Sequence, residues 1–425
     1  MVIYTVRPGD TVYSIAKKFG VSPQKVLTDN AIKNPEQLVI GQALVIIPND
    51  VRHTVTYGQS LYAIARSYGT TVANILAANP DIEDSSRLHT GQVIVIPGNA
   101  AKLGTMEVNG YAFADMDKAD LEGALPYLTY TSLFSYQIKA DGSLIPIPDD
   151  SVIQASRQAG VAPLMVITNI KEGGSFDSNL AHTILTTEQV QNTLLDNVIK
   201  TLKDKNFYGL DIDFEYILPQ DKQNYNKFLK KVVDRLHPLG YIVSTALAPK
   251  ASADQPGLLY QAHDYPVHGS LVDHVILMTY EWGYLRGPAR AVAPLDLVEK
   301  VIQYAVSVMP SQKILMGIPN YGYDWTLPFI KGSTARPITN LEAVDLAAQV
   351  GAQIQFDAAA QSPYFTYFKD GRNHEVWFED ARSIEAKLKL VKKYNLGGVS
   401  YWNLNGYFPQ NWLVLSTLYN VKKVL

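Results

Sequence analysis

Tyr208-Gly209-Leu210-Asp211-Ile212-Asp213-Phe214-Glu215 sets an acidic side chain at every second position among otherwise apolar residues. Side chains alternate faces along a strand, so Asp211, Asp213 and Glu215 are expected to share one face. Leu210, Ile212 and Phe214 are then expected in a hydrophobic layer on the other. Like charges crowded in low dielectric raise one another's pKa, which costs stability and gives the fold nothing. Chemistry gains from it, because a carboxyl with a raised pKa is a general acid near neutral pH. The competing reading is a half-solvated strand with an acidic face, and the rest of the chain argues against it.

From about Met106 onward, short apolar runs rich in β-formers alternate with amphipathic helical stretches, the pattern of a parallel α/β architecture. Strands are expected at 107–113, 129–135, 163–168, 209–214, 242–247, 274–279, 313–318 and 398–402. Eight such strands fit a (β/α)8 TIM barrel, whose active residues lie at strand carboxyl ends. Polar and aromatic residues gather at those ends here: Asp213 and Glu215, Tyr280-Glu281-Trp282, Asn320-Tyr321 and Trp402-Asn403.

The amino end carries an internal repeat. Tyr4-Thr-Val-Arg-Pro-Gly-Asp-Thr-Val-Tyr-Ser-Ile-Ala16 is echoed by His53-Thr-Val-Thr-Tyr-Gly-Gln-Ser-Leu-Tyr-Ala-Ile-Ala65. Phe19-Gly20 then matches Tyr68-Gly69, Asp29-Asn30 matches Ala78-Asn79, and each unit closes on an apolar run ending at Pro48 or Pro97. Such self-similarity marks tandem modules. Val12, Ile15, Ala16 and Phe19 fall on one helical face. Ser22-Pro23 reads as the N-cap and first residue of a second helix, which gives β-α-α-β units.

The 425 residues are 47% hydrophobic and 18% charged, enough for two or three domains with sizeable cores. A net charge of −3 gives no reason to expect nucleic acid or an anionic membrane as partner. No apolar run is long enough to span a bilayer. The amino terminus lacks the charged-then-apolar layout of a secretory signal. The chain has no cysteine, which excludes disulfides, thiolate metal sites and cysteine nucleophiles.

Both repeats resemble the LysM module, through the (Tyr/His)-Thr-Val-x-x-Gly-(Asp/Gln)-(Thr/Ser)-(Val/Leu)-Tyr-x-Ile-Ala pattern and the terminal Gly-Gln…Ile-Pro. The resemblance implies binding of N-acetylglucosamine-containing glycans. Its groove would be lined near Gly9, Asp10, Thr11 and Asn30 in the first unit, and Gly58, Gln59, Ser60 and Asn79 in the second. The alternative for each of these residues is a purely structural turn or cap.

The remainder resembles glycoside hydrolase family 18, the chitinase-like family. Its Asp-Gly-x-Asp-x-Asp-x-Glu strand reads Tyr208-Gly-Leu-Asp-Ile-Asp-Phe-Glu215, with Tyr208 replacing the leading acid. Its Met-x-Tyr-Asp motif reads Met278-Thr-Tyr-Glu281, its last-strand tryptophan matches Trp402, and its Gly-Gly matches Gly173-Gly174. The resemblance implies that the substrate's own acetamido group is the nucleophile. Glu215 would then be the general acid–base, Asp213 would orient the acetamido group, and Asp211 would modulate Asp213. Tyr280 would hold the acetamido oxygen and Trp402 would floor the reacting sugar, with Glu281, Trp282, Asn320 and Tyr321 as further substrate contacts.

Some members of the family carry a small α+β insertion between the last two barrel strands, which fits the broken alternation at about 326–378: a helix from Ile338 and a hairpin of 364–368 with 374–378. His374-Glu375 does not extend to a zinc-binding pattern, so no metal and no cofactor is expected. The expected layout is modules at 2–48 and 51–97 and a catalytic barrel at 101–425.

The whole arrangement, with Met278-Thr-Tyr-Glu-Trp-Gly-Tyr284, His374-Glu-Val-Trp-Phe-Glu-Asp-Ala-Arg382 and Pro409-Gln-Asn-Trp412, is similar to the cortex-lytic glycosidases of spore germination in endospore-forming bacteria. That implies an N-acetylglucosaminidase on cortex peptidoglycan, acting as a monomer, made in the mother cell and deposited in the outer spore layers. A chitinase acting on chitin oligomers and a non-catalytic glycan-binding wall protein are the alternatives.

Overall fold

The computed structural model of the protein describes residues 1–68, 70–82, 84, 88–98 and 101–425. Gly69, matched above to Gly20, lies outside the described residues. The eight expected barrel strands form as β1 (Gly104–Phe113), β2 (Tyr130–Ile138), β3 (Ala162–Thr168), β4 (Gly209–Asp213), β5 (Ile242–Leu247), β6 (His274–Leu277), β7 (Ile314–Pro319) and β8 (Gly398–Trp402). All neighbours pair in parallel, and β8 and β2 both pair with β1, which closes the barrel. The short strand Leu144–Ile145 adds to β2 antiparallel, and Tyr419–Val421 adds to β1.

The alternation in β4 is realised as read. Leu210, Ile212 and Phe214 point outward into the layer between barrel and helices, where Phe214 stacks on Tyr225 and Phe228 of the helix Lys222–Leu236. Asp211 and Asp213 are buried on the inward face. Tyr208, at the other end of this segment, packs with Tyr130, Leu164 and Ile242. There it is remote from the carboxyl-end mouth, so the loss of an acid at this position leaves the Asp213–Glu215 pair in place.

The insertion is a five-stranded antiparallel sheet in the order Arg336–Thr339, Tyr321–Leu327, Arg372–Trp377, Ser362–Lys369, Gln355–Asp357. It begins at Tyr321, five residues ahead of the expected 326, because the chain leaves β7 directly into its first strand. The helix Asn340–Val350 starts at a Thr339/Glu342 capping box, and the expected hairpin joins Ser362–Lys369 to Arg372–Trp377.

Both amino-terminal units fold as β-α-α-β, the first with strands Val2–Thr5 and Ala43–Ile46 around helices Val12–Phe19 and Pro23–Asp29. The second has strands Val51–Thr54 and Val93–Ile96 around helices Leu61–Ser67 and Val72–Ala78. Their surroundings differ. In the first unit Leu44 and Ile46 join the module's own core, whereas Ala43 and Val45 join the core of the barrel. Val39 packs into the core of the insertion. Backbone and side chains seal the junction: Ile354 N–H donates to Ile40 O at 2.9 Å, Arg382 to Gly41 O at 3.1 Å and Gln410 to Asn30 O at 3.2 Å. Gly41 has φ +87°, and a Cβ there would lie 1.8 Å from Ile354 O. Its counterpart Gly91 faces open space.

The second unit has a core of its own, and Val93, the counterpart of Ala43, is 55% exposed. Its two ends meet, because Gly98 N–H donates to Asp50 Oδ1 at 2.9 Å while Gly98 O accepts from the Met1 amino group at 3.1 Å.

Candidate active site

At the carboxyl-end mouth of the barrel lies a cleft of about 520 Å3 whose lining includes Asp213, Glu215, Tyr280, Glu281, Tyr323 and Trp402. The strand β4 supplies its acids. Asp211 is deepest and fully buried; its carboxylate accepts from Tyr111 OH and Ser244 Oγ, both at 2.6 Å. Ser244 is the register partner of Asp211 on β5, so parallel pairing places that hydroxyl. Burial raises the Asp211 pKa while the two hydroxyls oppose the rise.

Asp213 sits one step nearer the mouth, 4% exposed, and its Oδ1 has no hydrogen-bond partner among the described residues. Burial holds its pKa well above the usual carboxylate range, and the charges of Glu215 and Asp211 add to the effect. Glu215 lies just past the strand end, and burial together with the charge of Glu281 pushes its pKa up to about 7. A carboxyl of that pKa keeps its proton in about half of the molecules at neutral pH, where an ordinary glutamate would have lost it almost entirely.

Tyr280 follows β6, 8% exposed, and burial keeps its hydroxyl protonated. Gly317 on the adjacent β7 makes room for it, because a Cβ there would lie 2.8 Å from the Tyr280 ring. Trp402 ends β8 inside an edge-on aromatic nest of Phe134, Tyr111 and Phe113, with ring centroids at 4.8, 5.3 and 5.9 Å. These contacts hold the indole in one orientation as a floor.

Glu281 stands at the rim with φ +66°. Its Oε1 accepts from Tyr321 and, at 2.9 Å, from Tyr323, so the first strand of the insertion forms one wall of the cleft. Withdrawal from water raises its pKa and the two hydroxyls oppose the rise.

The structure therefore gathers Asp211, Asp213, Glu215, Tyr280, Glu281 and Trp402, with Tyr321 one hydrogen bond behind Glu281. It does not gather Trp282 and Asn320. Trp282 packs against the barrel core, away from the cleft lining. Asn320 is buried, and its amide donates to Asn405 O and Gly406 O, so it braces the loop after β8 and is not among the residues lining the cleft. Tyr111 and Ser244 escaped the sequence reading. Tyr111 was findable, since Glu107, Asn109 and Tyr111 recur at every second place in an apolar strand.

In the repeats, the expected groove residues have structural duties. Asp10 accepts from Tyr4 OH and Arg7 N–H, and Gln59 likewise engages His53 and Thr56 N–H. Thr11 and Ser60 cap helices, while Gly9 and Gly58 turn the chain at φ +85° and +82°. Asn30 and Asn79 likewise turn their side-chain amides to the module's own backbone. Each amide makes three backbone bonds, Asn30 with Val26 O and both polar groups of Val45, Asn79 with Ile75 O and both of Val95. Those bonds tie the second helix to the closing strand and leave the amides committed internally.

A row of recessed carboxyls over an aromatic floor, at the catalytic end of a (β/α)8 barrel, defines a glycoside hydrolase. The chain belongs to the glycosyl hydrolases family 18, whose sequence profile matches residues 106–406, and the LysM domain matches residues 4–46 and 53–97. It is 45% identical to the cortical fragment-lytic enzyme of Bacillus subtilis (strain 168), over 100% of this chain and 99% of that one. The crystal structure of the Bacillus megaterium QM B1551 spore cortex-lytic enzyme SleL superposes with a TM-score of 0.88 at 40% identity, covering 100% of this chain and 99% of that one. A Chromobacterium violaceum chitinase matches 73% of this chain and 98% of its own at 27% identity and a TM-score of 0.67.

Proposed function

We propose that this glycoside hydrolase cleaves N-acetylglucosaminidic bonds of spore-cortex peptidoglycan during germination, by retaining catalysis in which the substrate's acetamido group is the nucleophile. The observation that carries the chemistry is the inward row Asp211–Asp213–Glu215 facing Tyr280 and Trp402. Glu215, whose raised pKa leaves a large protonated fraction at neutral pH, donates its proton to the glycosidic oxygen as the bond breaks and then takes one from the incoming water. Asp213, with a buried oxygen that has no partner among the described residues, orients the acetamido N–H as the carbonyl oxygen attacks the anomeric carbon. Asp211, held by Tyr111 and Ser244, sets the charge behind Asp213. Tyr280 donates to the acetamido oxygen in the cyclic oxazolinium intermediate.

The substrate assignment is supported by end-to-end likeness to cortex-lytic enzymes, both repeats included, whereas the chitinase likeness stops short of the repeats. We take the protein to act as a monomer in the outer spore layers, made in the mother cell, without nucleic acid or membrane partners. Among the described residues no helix is long and apolar enough to cross a membrane.

Mass spectrometry of soluble products from purified cortex fragments tests the reading. Wild type is expected to release new N-acetylglucosamine reducing ends, and Glu215→Gln to lower turnover by at least ~10²-fold. Cleavage of chitin oligomers with cortex left untouched would make the protein a chitinase. A thiazoline analogue of the oxazolinium intermediate should inhibit competitively, and its failure to do so would exclude acetamido participation.

A further inference from the structure

The strand β4 ends at Asp213, so the backbone groups of Phe214 and Glu215 lie beyond its ladder. A buried peptide group without a partner is costly, and an acid on a slack backbone would be poorly aimed. Two side chains from neighbouring loops take over where the strand stops. Asn169, the residue after β3 and fully buried, accepts from Glu215 N–H through Oδ1 and donates to Glu215 C=O through Nδ2, both at 2.9 Å. Its Nδ2 also reaches Asp177 O at 3.2 Å, and its own carbonyl accepts from Asp177 N–H at 2.9 Å.

On the other flank His263, 1% exposed, donates from Nε2 to Phe214 C=O at 3.0 Å. Its Nδ1 accepts from Ala248 N–H at 2.8 Å, just past the end of β5. That pair of bonds fixes one neutral tautomer, and burial, which lowers the His263 pKa to about 4, keeps the ring neutral in working conditions. Immediately after Glu215 the chain turns sharply, with Tyr216 at φ +53°.

We infer that Asn169 and His263 are positioning residues for the catalytic acid: together they lock the 214–215 backbone so that the Glu215 carboxyl meets the glycosidic oxygen. The inference rests on Glu215 being the acid, and its test separates the two. Proton donation matters for a sugar leaving group and little for a phenol of low pKa. A misaimed acid therefore spares kcat/KM on an activated aryl N-acetylglucosaminide while lowering it on a soluble cortex oligosaccharide. A general loss of structure lowers both alike.

The expected result for Asn169→Ala is a fall of about 10²-fold on the oligosaccharide against about threefold on the aryl glycoside. His263→Met should show the same split, and His263→Gln, which keeps a donor at the Nε2 position, should recover most of the oligosaccharide rate. Thermal unfolding of each variant identifies any that has failed to fold. Equal losses on both substrates in folded Asn169→Ala and His263→Met, or no loss on either, would overturn the clamp. Glu215→Gln is run alongside and should show the larger loss on the oligosaccharide. If it shows no split, the assignment of the acid fails and takes the clamp with it.

Discussion

Glu215 and Glu281 both line one cleft, and the effect of the Glu281 charge on Glu215 is measurable. Because the charge of Glu281 raises the Glu215 pKa, Glu281→Gln should move the basic limb of the kcat/KM profile to lower pH, away from its wild-type position near 7. A limb that stays in place would mean that Glu281 does not act on the acid. Linkage gives a second reading. A carboxyl whose folded pKa lies above its unfolded value contributes stability at low pH, which is lost as pH rises through about 7. Glu215→Gln should therefore melt above wild type in alkaline buffer and converge with it below pH 5. At this scale the sequence was legible where chemistry demanded an unusual pattern, as in the acid row, Tyr280 and Trp402. It was opaque where a common side chain does an indirect job. Ser244 reaches Asp211 only because parallel register sets them side by side, and nothing local in Ser244-Thr-Ala-Leu247 announces it. Trp282 and Asn320 fall outside the cleft lining because strand-end position puts a residue near the mouth without settling which way its side chain turns.

Among elements, the barrel strands were readable to within a few residues because alternating β-rich and amphipathic runs leave little choice of architecture. The docking of the first repeat was not. Ala43-Leu-Val-Ile46 and Val93-Ile-Val-Ile96 are both unbroken apolar runs, and a continuous run does not say whether its second face is covered. Only the folded chain separates a strand buried on both faces from one with an open face. The equivalent positions give a paired test. Ala43→Asp should bury an unpaired charge against the barrel and cost at least about 3 kcal/mol in denaturant unfolding. Val93→Asp, on the open face, should change stability by no more than about 0.5 kcal/mol. Equal effects would mean that the first repeat is not seated on the barrel in solution.

For the molecule as a whole, the repeats divide their labour. The first is part of the catalytic body, and the second is an excursion that leaves and returns at one place. Removing 51–97 and rejoining the chain should leave hydrolysis of soluble fragments within about twofold of wild type, since among the described residues none of 51–97 belongs to the barrel's hydrophobic core. Retention on insoluble cortex should fall by at least about 10²-fold, the lower range for losing one of two linked attachments. Unchanged retention in a pelleting assay would place the wall-binding surface on the body. Removing 1–48 should instead lower the melting temperature of the entire enzyme.

The meeting of Asp50 with Gly98 bears on how the enzyme withstands proteolysis. A cut ahead of the second repeat leaves that repeat joined to the barrel, with the first still seated by its own contacts. A cut behind it leaves it joined to the seated first repeat. Either wound alone sheds nothing, so the second repeat stays with the enzyme until both junctions have been severed.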